Sequence, residues 1–250
     1  MADLTGDALA RYAQAIVRTC LAVGPDDVLA IHGEPDHRPL VTALGDAAYA
    51  AGARLVDAVY VDMRLKRSRI AHARDGEGLA EQPGWHDRRM HELLARDAAL
   101  VTINGESEPA LLAGLEPRLA ARETTSRLPG RRRYLRAVAA GTARFCVVAW
   151  PLPGWAGPAY PELDPAAATA RVAEDLLSFC RLGPDDGPTA WAAHLETLAA
   201  RAAALDALEL RSLELRAPGT ELTIGLPPDH AWVSAAHEDR HGRRLCANFP

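Results

Sequence analysis

Apolar residues recur at helical spacing from the start of the chain. Leu9, Tyr12, Ala13, Ile16, Val17 and Cys20 follow the i, i+3, i+4 rule, which predicts an amphipathic helix over residues 5–22 that ends at Gly24-Pro25. Val28 to His32 then reads as a short apolar strand. Pro39 opens a helix to Ala51 with Gly52 as its stop, and Leu55 to Tyr60 is the next strand. Strand, helix and strand in so short a span make a βαβ unit, hence a parallel sheet with a right-handed crossover. The alternation continues with helical patterns over 64–74 and 85–96, a strand over 98–103, and helical patterns near 108–113, 117–125 and 131–140. A strand over 145–149 follows. Prolines 151, 153, 158 and 161 predict an irregular surface crossing from Trp150 to Pro165, and Pro165 starts a helix to about Arg181.

The pattern changes after Gly183-Pro184-Asp185-Asp186-Gly187-Pro188, which reads as a linker. Thr189 caps an Ala-rich helix to about Ala207, and from Leu208 and Leu210 the period is two. Leu222, Ile224 and Leu226 alternate with polar neighbours, as do Leu245, Ala247 and Phe249, while Pro218-Gly219 and Pro227-Pro228-Asp229 mark turns. The expected fold class is therefore α/β. Residues 1–187 form a parallel-sheet, three-layer domain, and 188–250 a helix and antiparallel β-meander that begin a second, incomplete domain.

Composition narrows the functional classes. With 48 % hydrophobic and 24 % charged residues the chain is an ordinary globular sequence, and a net charge of −5 argues against nucleic acid as a partner. No apolar run is long enough to span a bilayer, and the N-terminus carries acids rather than the basic and apolar stretches of a signal peptide. Cys20, Cys146, Cys180 and Cys246 are scattered among apolar neighbours with no Cys-x-x-Cys, which predicts reduced, buried residues of a cytoplasmic protein.

One short motif carries metal chemistry: His237-Glu238-Asp239-Arg240-His241. On a helix, two imidazoles at i and i+4 grip Zn²⁺ and the Glu takes a proton from bound water. The surroundings favour strands instead, with Asp239 to Gly242 as a hairpin loop and the two His in water; a zinc hydrolase built on His237 and His241 stays as an alternative. In the α/β part, ligands are expected beyond the carboxyl ends of the strands. That makes His32, Glu34, Asp62, Asn104 and Glu106 candidates, with no Gly-rich phosphate loop beside them. Ser107 lacks a nucleophile elbow and reads as a turn or cap residue. Arg131-Arg132-Arg133 reads as a solvated face, and Trp150, Trp155 and Tyr160 as packing anchors or a subunit contact.

Longer stretches resemble a known family. Tyr12-Ala13, Val17-Arg18, Val23-Gly24-Pro25, Gly52-Ala53-Arg54, Arg64-Leu65-Lys66-Arg67 and Pro151-Leu152-Pro153-Gly154-Trp155-Ala156 carry the likeness through the first domain. Trp191-Ala192-Ala193-His194-Leu195, the run from Pro218 to Pro227, and Ala247-Asn248-Phe249-Pro250 continue it. In order and spacing they resemble the metal-dependent aminopeptidases of the aminopeptidase T and aminopeptidase S type. The resemblance implies an exopeptidase acting on the N-termini of peptides, with two divalent metal ions (Zn, Co or Mg) and a homodimeric assembly. It also implies that the metal-holding Glu, His and Asp follow a strand ending in Asn-x-Pro, where this sequence stops at Asn248-Phe249-Pro250. The expectation is thus the N-terminal part of such an enzyme, with no catalytic or metal residue in this chain, no metal bound to it, and no activity of its own. A non-catalytic binding protein that keeps the α/β domain is the rival expectation.

Overall fold

The computed structural model describes residues 4–74, 76–183, 186 and 189–249. Its centre is a parallel sheet in the order β2-β1-β3-β4-β9. The strands are β1 (Val28–Gly33), β2 (Leu55–Tyr60), β3 (Ala99–Asn104), β4 (Arg144–Ala149) and β9 (Asn248–Phe249). The central strands are near-continuous apolar runs because both faces are covered. Between β1 and β2 runs α2 (Arg38–Ala50), the crossover helix of the expected βαβ unit.

One face of the sheet meets α1 (Gly6–Gln14), which widens into a π-helical turn over Ala15–Cys20, together with α2. Leu29, Ile31, Val101, Cys146 and Val148 point into this layer against Tyr12, Ile16, Leu40 and Leu44. The other face carries α5 (Trp85–Ala95) and α7 (Leu128–Ala139), which pack on Val28, Ala30, Leu100 and Phe145. The remaining helices before residue 183 are α3 (Met63–Ala71), α4 (Glu77–Ala80), α6 (Pro117–Ser126), α8 (Pro153–Ala159) and α9 (Pro165–Phe179). No helix among the described residues is long and apolar enough to cross a membrane.

A buried ion pair holds the amino end of the sheet. Arg144, 1 % exposed, donates to both carboxylate oxygens of Asp27 at 3.0 and 3.1 Å and to the carbonyls of Leu21, Ala22 and Asp97. Burial pushes the Asp27 carboxyl up, but the Arg144 hydrogen bonds and charge outweigh it and leave it below its ordinary range.

Two segments differ from expectation. Residues 108–113 form turns, not a helix: Leu111 and Ala113 donate three residues back to Glu108 and Ala110, and Gly114 turns away at φ +77°. Six residues are too few to nucleate a helix without packing. The proline-rich crossing, expected to be irregular, contains the short helix α8. Pro153 has its φ preset for a first helical position, and the Leu152 carbonyl accepts from Trp155 and Ala156. Trp150 is buried and Trp155 is exposed.

The expected boundary near residue 187 falls on residues outside those described. Beyond it, α10 (Ala190–Asp206) places Trp191 and Leu195 in the main core. Two antiparallel hairpins follow, β5 (Ser212–Ala217) with β6 (Thr220–Gly225), and β7 (Ala236–Glu238) with β8 (Arg244–Cys246). The chain then returns to the parallel sheet, where β9 pairs Val147 with Asn248 and Val148 with Phe249. Phe249 stacks on Tyr12 at 5.4 Å and meets Trp191 edge-on at 4.7 Å.

Candidate functional site

From β1 the strand order runs one way to β2 and the other way to β3, so the sheet has its switch point between β1 and β3. A crevice opens there because the loops leaving the two strands diverge. The structure forms a cleft of about 270 Å³ at that place, lined by the loops after β1 (Glu34, Asp36), β2 (Asp62, Arg64) and β3 (Glu106, Glu108), with Leu111 and Leu112.

The cleft walls are fixed by polar contacts. His37 is buried at the base of the β1 loop. The Glu34 N–H donates to its Nδ1 at 2.9 Å, which leaves the ring proton on Nε2, and Nε2 donates to the Gly105 carbonyl at 2.7 Å. Burial lowers the pKa of His37, so this bridge is made by the neutral ring. Gly105 sits at φ +139°, and a Cβ there would overlap the Trp150 carbonyl. Ser107 donates to Asp36, and Asp62 caps α3 by accepting from the Arg64 N–H at 2.8 Å. Arg64 grips Glu108 through two hydrogen bonds of 2.9 and 3.0 Å.

Of the candidate rim residues, Glu34, Asp62 and Glu106 line this cleft. His32 and Asn104 do not. His32 falls on the α5 and α7 face, where burial and the charges of Arg89, Arg131 and Arg127 lower its pKa. The Asn104 carbonyl accepts the Trp150 N–H. Ser107 holds a loop, as expected of a turn residue. Asp36, His37 and Arg64 went unrecognised; the signal for them was their place within a few residues of a strand's carboxyl end. Five carboxylates face one another across the cleft with one guanidinium among them. Burial, then Glu106, Asp36 and Asp62, raise the Glu34 carboxyl. Chemically the cleft favours an ammonium or guanidinium guest over an anion.

The second candidate, His237 to His241, is not a helix. His237 and Glu238 belong to β7, opposite Leu245 and Arg244, and His241 lies in the turn. A strand puts successive side chains on opposite faces, so the two imidazoles do not share the helical spacing zinc needs. The stretch instead builds its own turn. Asp239 accepts from the backbone N–H groups of His241 (2.8 Å) and Arg243 (2.9 Å) and from Arg243 Nε (2.6 Å), and Arg243 also pairs with Asp97. Burial pushes the Asp239 carboxyl up, but these bonds from Arg243 and His241 win and bring it down to about 2. Among the described residues no three His, Cys, Asp or Glu are arranged to hold a metal ion.

Comparison with known proteins gives this geometry its context. The profile of the family described as thermophilic metalloprotease (M29) matches residues 5–250. The chain belongs to that family. Aminopeptidase T of Thermus thermophilus is 31 % identical over 210 residues, covering 84 % of this chain and 51 % of that protein. Aminopeptidase 2 of Geobacillus stearothermophilus is 27 % identical over 242 residues, covering 97 % and 58 %. The solved structure of wild-type AmpT from Thermus thermophilus superposes with a TM-score of 0.87 at 28 % identity, over 97 % of this chain and 59 % of that one. This M29 chain therefore spans a little over half the length of the relatives it matches. The M29 family implies a metal, and the donors described in this chain do not fit one.

Proposed function

We propose that these 250 residues are the α/β part, with the opening elements of the catalytic part, of an aminopeptidase that removes N-terminal residues from peptides. Residues 1–187 would be the α/β domain and 188–250 the start of the catalytic domain. What carries the reading is the family match across the whole chain, seconded by the superposition on AmpT. In this reading the protein is a cytoplasmic homodimer using two divalent metals, and the acids and imidazoles that hold them are not among these residues. Asp239 supports this: it is committed to the hairpin turn, and the His on either side of it lie on a strand and in a loop. The purified chain, assayed on aminoacyl p-nitroanilides with Zn²⁺, Co²⁺ or Mg²⁺, is expected to show no chelator-sensitive turnover. Robust turnover abolished by chelator would overturn the reading.

The acidic cleft favours a second reading, a binding protein that retains the α/β domain without catalysis. Its mark would be saturable binding of an Arg-rich peptide by the isolated chain, weakened several-fold by Glu34→Gln. Titration calorimetry with no heat at millimolar peptide removes it.

A further inference from the structure

Helix α7 carries a charge pattern that its own stability does not explain. It holds Arg131, Arg132, Arg133 and Arg136 and no acid. Arg132, Arg133 and Arg136 share one face, because successive residues turn about 100° and a step of four returns almost to the same side. Like charges at those spacings repel one another. The first turn of the helix has no acid either, although the backbone N–H groups there favour negative charge.

Elsewhere the surface neutralises such arginines. Arg54 pairs with Asp26, Arg64 with Glu108, Arg96 with Glu92 and Arg171 with Asp175. Among the described residues the guanidinium groups of Arg132, Arg133 and Arg136 make no ion pair and no hydrogen bond. They line a depression of about 400 Å³ between α7 and α5, where Asp87 is the remaining wall residue. Three guanidinium groups thus meet one carboxylate, on a chain whose formal net charge is −5. The depression shares no residue with the acidic cleft.

We propose that this depression is an anion-binding site and that its ligand is an oligophosphate, two or more linked phosphoryl groups. A guanidinium fork matches two oxygens of one phosphoryl group. Side chains three or four apart leave the helix about 5–6 Å from one another, so one phosphoryl group engages two of the arginines and a linked pair engages all three. The ligand removes the repulsion within α7. A nucleic acid strand would need a basic groove that follows several phosphates. Here the basic groups occupy one helix face, and Asp87 opposes them from α5. The size of the depression is that of a small-molecule site.

The test is titration calorimetry of the native chain with inorganic pyrophosphate at constant ionic strength. One saturable site per chain is expected, and Arg132→Gln with Arg136→Gln should weaken it on the order of tenfold through lost charge-assisted hydrogen bonds. Asp87→Asn should tighten it by roughly threefold, since it removes the opposing carboxylate. Asp46→Asn, on α2 across the sheet, changes the net charge equally and should leave the affinity as it is. Both arginines are exposed, and α7 is held by Tyr134 edge-on to Phe145, so the substitutions leave its packing intact. The gain at Asp87 is a second readout that misfolding cannot produce. No heat at millimolar pyrophosphate would overturn the proposal, as would binding unchanged by the arginine substitutions or an equal gain from Asp46→Asn. Hexaglutamate binding as tightly as pyrophosphate would overturn the assignment to phosphoryl groups, and tighter binding of a single-stranded oligonucleotide would replace the ligand with nucleic acid.

Discussion

Strands β1 and β6 both carry apolar residues in register and use them in opposite ways. In β1, Leu29 and Ile31 are at most 1 % exposed, under α1 and α2. In β6, Leu222 and Ile224 are 49 % and 41 % exposed, and Leu215 beside them in β5 is 47 % exposed. The backbone of β1 is paired on both edges, by β2 and β3, and that of β6 on one, by β5. A period-two pattern thus states which side chains are suited to a covered face, while the cover itself comes from elsewhere. The parallel body supplies its own cover. Among the described residues the β5–β6 hairpin is left largely uncovered.

The contrast can be broken at several strengths. Arg144→Met should act most strongly, because it strands the Asp27 carboxylate and the carbonyls of Leu21, Ala22 and Asp97; a loss of roughly 3–5 kcal/mol is expected in urea unfolding. Phe249→Ala, at a position 1 % exposed, should cost about 3 kcal/mol. A cost under 0.5 kcal/mol would show that the last strand does not belong to the body. Acid gives the next effect. The Asp239 carboxyl, at about 2, is depressed from an unfolded value near 4, so its contribution is present above pH ~4 and disappears as the pH falls toward 2, a loss on the order of 2 kcal/mol. Asp27 is depressed in the same sense, and Asp239→Asn should flatten the hairpin's share of the pH profile. The smallest effect is expected at Leu222→Ser, within about 0.5 kcal/mol for this chain. Hydrogen exchange should show the β5–β6 amides opening well before those of β1 and β3.

Much of the body was legible because its signals are local. Val28 to Ile31, Leu100 to Ile103 and Phe145 to Val148 are runs that suit only a strand covered on both sides, and Gly52 and Pro165 punctuate helices by their own backbone chemistry. The strand ends then placed Glu34, Asp62 and Glu106 at the cleft. His32 was misplaced because strand alternation, and not proximity to the strand end, decides the face it takes. Arg144 and His37 were invisible: their partners are supplied by distant loops, and an isolated Arg or His carries no sign of burial. From Trp150 to Pro165, proline density predicted an irregular surface crossing, whereas Pro153 in fact starts the short helix α8.

The fifth strand has a consequence for how the molecule is made. The pairing of Val147 with Asn248 joins positions about 100 residues apart, so it raises the contact order and slows folding. On the ribosome, β4 must wait with one margin unoccupied until residues through Phe249 have emerged. During that interval its exposed Val147 and Val148 backbone is open to pairing with another nascent chain.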